Sequence, residues 1–145
     1  GKSGFRFRVH IKSQRKLWSN LKGLTNRRKI IELEEWKRKL KYAIVGWVNY
    51  YKLADMWKFL ERTDEWLRRR IRMVILKRWK RVRTKYKNLR QLGISHENAR
   101  RQANSRKGLW RSADTPVIHQ ALNNERLARN GFTFLLPRYE AVGIS

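Results

Sequence analysis

Between Glu65 and Glu97 the chain carries twelve Lys or Arg and no acidic residue. They are Arg68, Arg69, Arg70, Arg72, Lys77, Arg78, Lys80, Arg81, Arg83, Lys85, Lys87 and Arg90. Trp66, Leu67, Ile71, Val74, Ile75, Trp79 and Val82 are threaded among them, apolar content that a disordered basic tail lacks. A merely solvated helix face mixes both signs, with Glu about four residues before Lys or Arg. Here no carboxylate within the window offsets the repulsion, and the natural counterweight is a polyanion. Arg106, Lys107 and Arg111 form a second cationic group around Trp110. That tryptophan fits a structural clamp and a nucleic-acid contact equally well. The candidate nucleic-acid-binding residues are therefore Arg68, Arg69, Arg72, Lys77, Lys80, Arg81, Arg83, Lys85, Lys87, Arg106, Lys107 and Arg111.

Chemistry of bond breaking is not indicated. Metal-dependent phosphoryl transfer needs converging carboxylates, and the eleven acidic residues include no Asp-x-Asp or Asp-Asp pair. Glu32, Glu34 and Glu35 cluster where a helix begins, and Asp55, Asp64 and Glu65 read as corner and cap residues. There is no glycine-rich phosphate loop. His10, His96 and His119 lack a metal-ligand spacing, and no Cys is present for zinc or thiol chemistry. No catalytic, metal or cofactor residue is expected here, and the chain alone is expected neither to polymerise nor to cleave nucleic acid.

Composition agrees with a polyanion partner. The 145 residues have a formal net charge of +26, which points to RNA or DNA and less often to an anionic membrane surface. No apolar run approaches the length of a membrane span. The lack of Cys fits a reducing cytoplasm. With no initiator Met, the sequence reads as a C-terminal piece of a larger protein.

The elements that must position these residues are mostly helical. Phe5, Phe7 and Val9 alternate with Arg6, Arg8 and His10 as in a strand. A helix is expected from about residue 13, with Leu17, Trp18 and Leu21 buried. A second spans roughly 30–51, with Leu33, Trp36, Leu40, Ala43, Trp47 and Tyr51 in one apolar stripe. A third is expected over 64–82, capped by Asp64. It buries Leu67, Ile71, Val74 and Ile75 and turns Arg69, Arg72, Lys80 and Arg83 outward, with Leu76 among those cations. Gly93 should stop a short helix over 85–92, and Ser95 should cap another through 104. Residues 105–114 read as a loop, 116–122 and 123–128 as short helices, and 132–136 as an apolar end. The fold class is mainly all-α: a three-helix bundle over 13–83, a smaller helical region over 84–145, and a short strand within 1–12.

Several motifs occur together: Gly46-Trp47-Val48-Asn49-Tyr50-Tyr51, then Asp64-Glu65-Trp66-Leu67-Arg68-Arg69-Arg70, then Tyr86-Lys87-Asn88-Leu89. Leu92-Gly93-Ile94-Ser95, Ala103-Asn104-Ser105-Arg106-Lys107-Gly108 and Ala121-Leu122-Asn123-Asn124 follow in order. The succession closely resembles the C-terminal thumb and maturase region of bacterial group II intron-encoded reverse transcriptases. The resemblance implies a helical thumb that grips template–primer duplex, binds intron RNA to promote splicing, and continues into a region that contacts target DNA. It also implies that RNA-directed polymerase activity and its Mg2+ belong to a preceding palm, of which residues 5–13 would be the last strand. A homodimer is a further possible assembly. The Tyr-x-Asp-Asp motif is absent, and Leu109 stands where an aromatic is more usual. The alternative reading is a stand-alone basic helical DNA-binding module with 95–104 as its recognition helix.

Overall fold

The computed structural model describes residues 9–142, and all the regular elements among them are helices, as the all-α expectation requires. In order they are α1 (Ile11–Leu24), α2 (Leu33–Tyr51), α3 (Trp57–Trp79), α4 (Val82–Gln91) and α5 (His96–Ala103). Four shorter ones follow: α6 (Leu109–Ser112), α7 (Pro116–Ala121), α8 (Asn124–Arg129) and α9 (Leu135–Val142). Most of the expected strand lies outside the described residues. Where it is described, Val9 and His10 form no strand and α1 already begins at Ile11. Two compact units emerge, the first from residues up to 24, 31–67 and from 131 on, the second from 25–30 and 68–130. The change of unit falls inside α3.

In the first unit, the Glu32 carboxylate caps α2 by accepting the Glu34 and Glu35 N–H groups at 2.9 and 3.0 Å. Glu34 and Glu35 add negative charge to the first turn, where the helix dipole favours it. The buried stripe of α2 is Trp36, Leu40, Ile44 and Val48, at strict i, i+4 spacing. Leu33, Ala43, Trp47 and Tyr51 of the expected stripe are half-buried, so the face is rotated by part of a turn. Trp36 donates its indole N–H to the Leu24 carbonyl at 2.7 Å, satisfying an acceptor left over at the end of α1. Trp18 stacks on Phe59 and Trp66 with centroids 6.2 and 5.9 Å away, and donates to Thr63 Oγ1 at 2.9 Å. These tryptophans hold the bundle.

Asp64 is not the start of the third helix. The helix begins at Trp57, and Asp64 lies inside it, only 1% exposed. Its two carboxylate oxygens accept the Leu135 and Leu136 N–H groups, each at 2.8 Å. It therefore caps α9, a helix far along the chain, and α9 packs on α2 within this unit. Tyr139 reinforces the docking by donating to the Ala54 carbonyl at 2.8 Å.

In the second unit, Ile71, Met73, Val74 and Leu76 of α3 are buried, whereas Ile75 is half-buried. Leu76 thus does not share the solvent with the cations around it. Helix α4 ends in a Schellman motif: Gly93 N–H reaches the Arg90 carbonyl and Ile94 N–H the Leu89 carbonyl, both at 3.0 Å. Gly93 sits at φ +92, and Leu89 and Ile94 make the buried apolar pair that accompanies such ends. Ser95 Oγ then accepts the Asn98 N–H at 3.3 Å and starts α5, which packs on α4. The expected loop over 105–114 contains α6, which begins directly after Gly108. Pro116 occupies the first turn of α7, and Asn123 caps α8 by accepting the Arg126 N–H at 2.8 Å.

Candidate nucleic-acid interface

The twelve candidate cations separate into three groups by what surrounds them. Arg72 is the clearest departure from expectation, since it is 3% exposed rather than turned outward. Its Nε donates to the Leu122 carbonyl at 2.7 Å and its Nη2 to Asn124 Oδ1 at 2.9 Å. Burial pushes its guanidinium down to about 10, with the Arg68 charge acting the same way and Asp114 opposing. It is still a cation at neutral pH, but one that holds the turn between α7 and α8. Arg68 is half-buried.

Arg69 is also half-buried and settles the place of Trp110. Its guanidinium carbon lies 3.8 Å from the indole centroid, while its Nε donates to the Trp110 carbonyl at 3.0 Å. Asp114 Oδ2 stands 3.8 Å from Arg69 Nη1. The Asp114 carboxyl is held below its usual range, first by its hydrogen bond to His119 Nε2 at 2.9 Å and then by the Arg69 charge. Arg69 and Trp110 therefore clamp α6 to α3, which is the structural one of the two readings of Trp110.

The third group is exposed. Lys77, Lys80, Arg81, Arg83 and Lys87 face solvent, with Lys85 half-buried, and none has a carboxylate partner among the described residues. They follow the end of α3, the corner after it, and α4. Lys80 makes that corner with φ +57, a left-handed conformation that non-glycine residues avoid. Glycine is the residue such a helix end normally takes. Lys80→Gly is therefore expected to raise stability by about 0.5–1 kcal/mol, read from urea denaturation. A fall in stability would show that the Lys80 side chain supports the fold.

Arg106, Lys107 and Arg111 are exposed too, and they line a groove of about 660 Å³ in the second unit. Arg101 completes its cationic wall, while Asn98, Gln102, Ser105 and Thr115 supply amides and hydroxyls. No carboxylate lines it. The loop that carries Arg106 and Lys107 is pinned from both sides. Lys107 N–H donates to Ser105 Oγ at 3.2 Å, and the Ser112 hydroxyl donates to the Lys107 carbonyl at 3.3 Å. Arg101 was not among the candidates, although a signal for it existed: Asn98, Arg101, Gln102 and Ser105 stand at i, i+3, i+4, i+7. Glu97 accepts from Arg100 at 2.6 Å and Arg101 at 3.1 Å, and those bonds, Arg100 first, hold its carboxyl below the usual range.

No group of three or more His, Asp or Glu among the described residues could hold a metal ion. Nor is any helix among them long and apolar enough to cross a membrane. The family described as group II intron, maturase-specific domain matches residues 14–93, more than half of the chain. The chain belongs to that family. The matched segment of this maturase domain runs from α1 through the Schellman end of α4. It includes the exposed cations of α3 and α4, whereas the groove around Arg106 lies beyond it. No curated protein matches the chain.

Proposed function

We propose that this maturase domain binds structured group II intron RNA through its phosphate backbone and thereby supports splicing. The observation that carries the reading is the run from Lys77 to Lys87. Five exposed cations lie there along the end of α3, the corner after it and α4, within the matched segment, with no carboxylate partner among the described residues. Fixed helices bearing cations recognise RNA by shape and backbone, which suits a folded intron whose grooves hide most base edges. The groove of Arg101, Arg106, Lys107 and Arg111 supports a second backbone contact, to target DNA. The grip on template–primer duplex belongs to the same reading, with polymerase chemistry supplied by a palm outside this sequence.

Binding to a structured intron RNA is expected to weaken steeply with salt. With ~5–8 phosphates engaged, log affinity should fall against log salt with a slope of about −4 to −7. Changing Lys80, Arg81, Arg83 and Lys87 together to Ala should make that slope shallower by about 3, at ~0.7–0.9 per lost contact, with the fold retained. A flat salt response of the parent chain would sink the polyanion reading. Tighter binding to duplex DNA than to intron RNA would favour the stand-alone DNA-binding module instead.

A further inference from the structure

The groove between α5 and the start of α7 has a floor and a rim of different chemistry. Gln102, Ser105, Thr115 and Val117 are half-buried and make the floor, which offers an amide, two hydroxyls and one apolar side chain. Asn98, Arg101, Arg106, Lys107 and Arg111 are exposed and make the rim. All of them belong to the second unit. Arg101 pairs with Glu97, whereas Arg106, Lys107 and Arg111 have no carboxylate partner among the described residues.

The floor is held in place by the protein itself. Thr115 Oγ1 donates to the Ser112 carbonyl at 2.8 Å and lies 3.3 Å from Gln102 Oε1, which ties the start of α7 to α5. Ser105 Oγ is fixed by the Lys107 N–H that it accepts. Asn98 and Gln102 stand one turn apart on α5, and the Asn98 side chain makes no hydrogen bond among the described residues. A surface that gripped only phosphates would need the cations and nothing beneath them. Amides and hydroxyls below a cationic rim are the groups that read a base edge. The groove's volume of about 660 Å³ lies within the roughly 300–1,000 Å³ of pockets that take small organic ligands. Bases stacked inside a duplex cannot reach a recessed floor, and a base enters such a pocket only by leaving the stack.

We propose that the groove takes one unpaired nucleotide of a DNA strand, its base on the floor and its flanking phosphates on Arg106, Lys107 and Arg111. Val117 supplies the apolar contact for the base face. Asn98 and Gln102 pair with the base edge, and the Ser105 hydroxyl has a proton left to donate. Three cations without partners exceed what a single phosphate needs, so the ligand is a strand that continues on both sides of the bound base. The proposal deepens the reading of this groove as a contact to target DNA and rests on it for the class of ligand. Its own content is that an unpaired base, and not the backbone alone, is held here.

The test uses the 145-residue chain and short DNA strands built of abasic units, one strand carrying a single central adenine. Adenine is the probe because its N6/N7 edge pairs with a side-chain amide. The adenine strand should bind about tenfold more tightly than the fully abasic one, the low end of what a bound base contributes. Cations elsewhere on the chain meet both strands alike and cancel in that ratio. Gln102→Leu keeps a side chain of similar volume on the helix and should bring the ratio close to one, with the salt slope unchanged. Asn98→Ala, at an exposed position, should lower the ratio in the same direction and decides the matter if Gln102→Leu disturbs the fold. Arg106→Ala combined with Lys107→Ala should weaken both strands equally and make the salt slope shallower by about 1.4, at ~0.7 per single-strand phosphate. A ratio of one in the parent chain, or a ratio that neither amide variant moves, would overturn the base pocket and leave the backbone contact to DNA in place. Equal dependence on Gln102 when the adenine is paired in a duplex would assign the groove to duplex DNA and overturn the proposal as well. Failure of the parent chain to bind any of these strands would remove both readings.

Discussion

Replacing Asp64 by Ala is expected to release α9 and to lower the stability of the first unit by about 2–3 kcal/mol. A helix cap truncated to Ala usually costs ~0.5–2 kcal/mol, and a buried donor left unpaired adds ~1–3 kcal/mol. Asp64 serves two N–H groups from a site 1% exposed, so water cannot replace it. Asn keeps one acceptor oxygen and should lose roughly half as much. Five of the seven tryptophans, Trp18, Trp36, Trp47, Trp57 and Trp66, belong to this unit, so urea unfolding followed by fluorescence reports on it. Hydrogen exchange at Leu135 and Leu136 should speed up even in conditions where the bundle stays folded. Unchanged exchange at both amides in Asp64→Ala would mean that α9 is held by its apolar contacts alone.

How far the sequence could be read follows from which rules are local. Ser95 and Gly93 act within four residues of themselves, and each sits where its chemistry placed it. Trp36, Leu40, Leu67 and Ile71 repeat at helical period, and all four are buried. Asp64 also looked local, as a cap for the helix around it. Its real partners come some seventy residues later, and no spacing rule links the two. The segment that became α9 is short, contains Pro137, and forms a helix because Asp64 and Tyr139 anchor it. Periodicity failed in one more way on α3. It placed Arg72 opposite the apolar face, but the turn between α7 and α8 covers that side of the helix within the same unit. The cationic composition was legible as a whole; which cations serve the fold was not, because Arg69 and Arg72 differ from the exposed Arg81 and Arg83 in partners that lie far along the chain.

That distinction makes Arg72 the sharpest test of the interface. Arg72→Ala is expected to destabilise the second unit by about 2–4 kcal/mol, because the Leu122 carbonyl and Asn124 side chain lose a charge-assisted donor in a buried site. Lys should not rescue it, since a point charge cannot reproduce the fork that reaches both acceptors. Desolvation lowers the folded-state pKa of Arg72 from the ordinary guanidinium value to about 10. The folded protein therefore binds this proton less tightly than the unfolded chain, and the group makes stability rise as pH climbs above about 10. Below pH 10 its desolvation is a constant cost, offset by the two hydrogen bonds. Changing Lys80, Arg81, Arg83 and Lys87 to Ala has the opposite profile: melting unchanged or raised as repulsion is relieved, and RNA binding weakened. Thermal melts by circular dichroism, paired with RNA titration well below the melting point, separate the two classes. Arg72→Ala should melt early yet bind RNA with the parent's salt slope while folded. A variant that melts like the parent and loses a phosphate's worth of salt slope would return Arg72 to the interface.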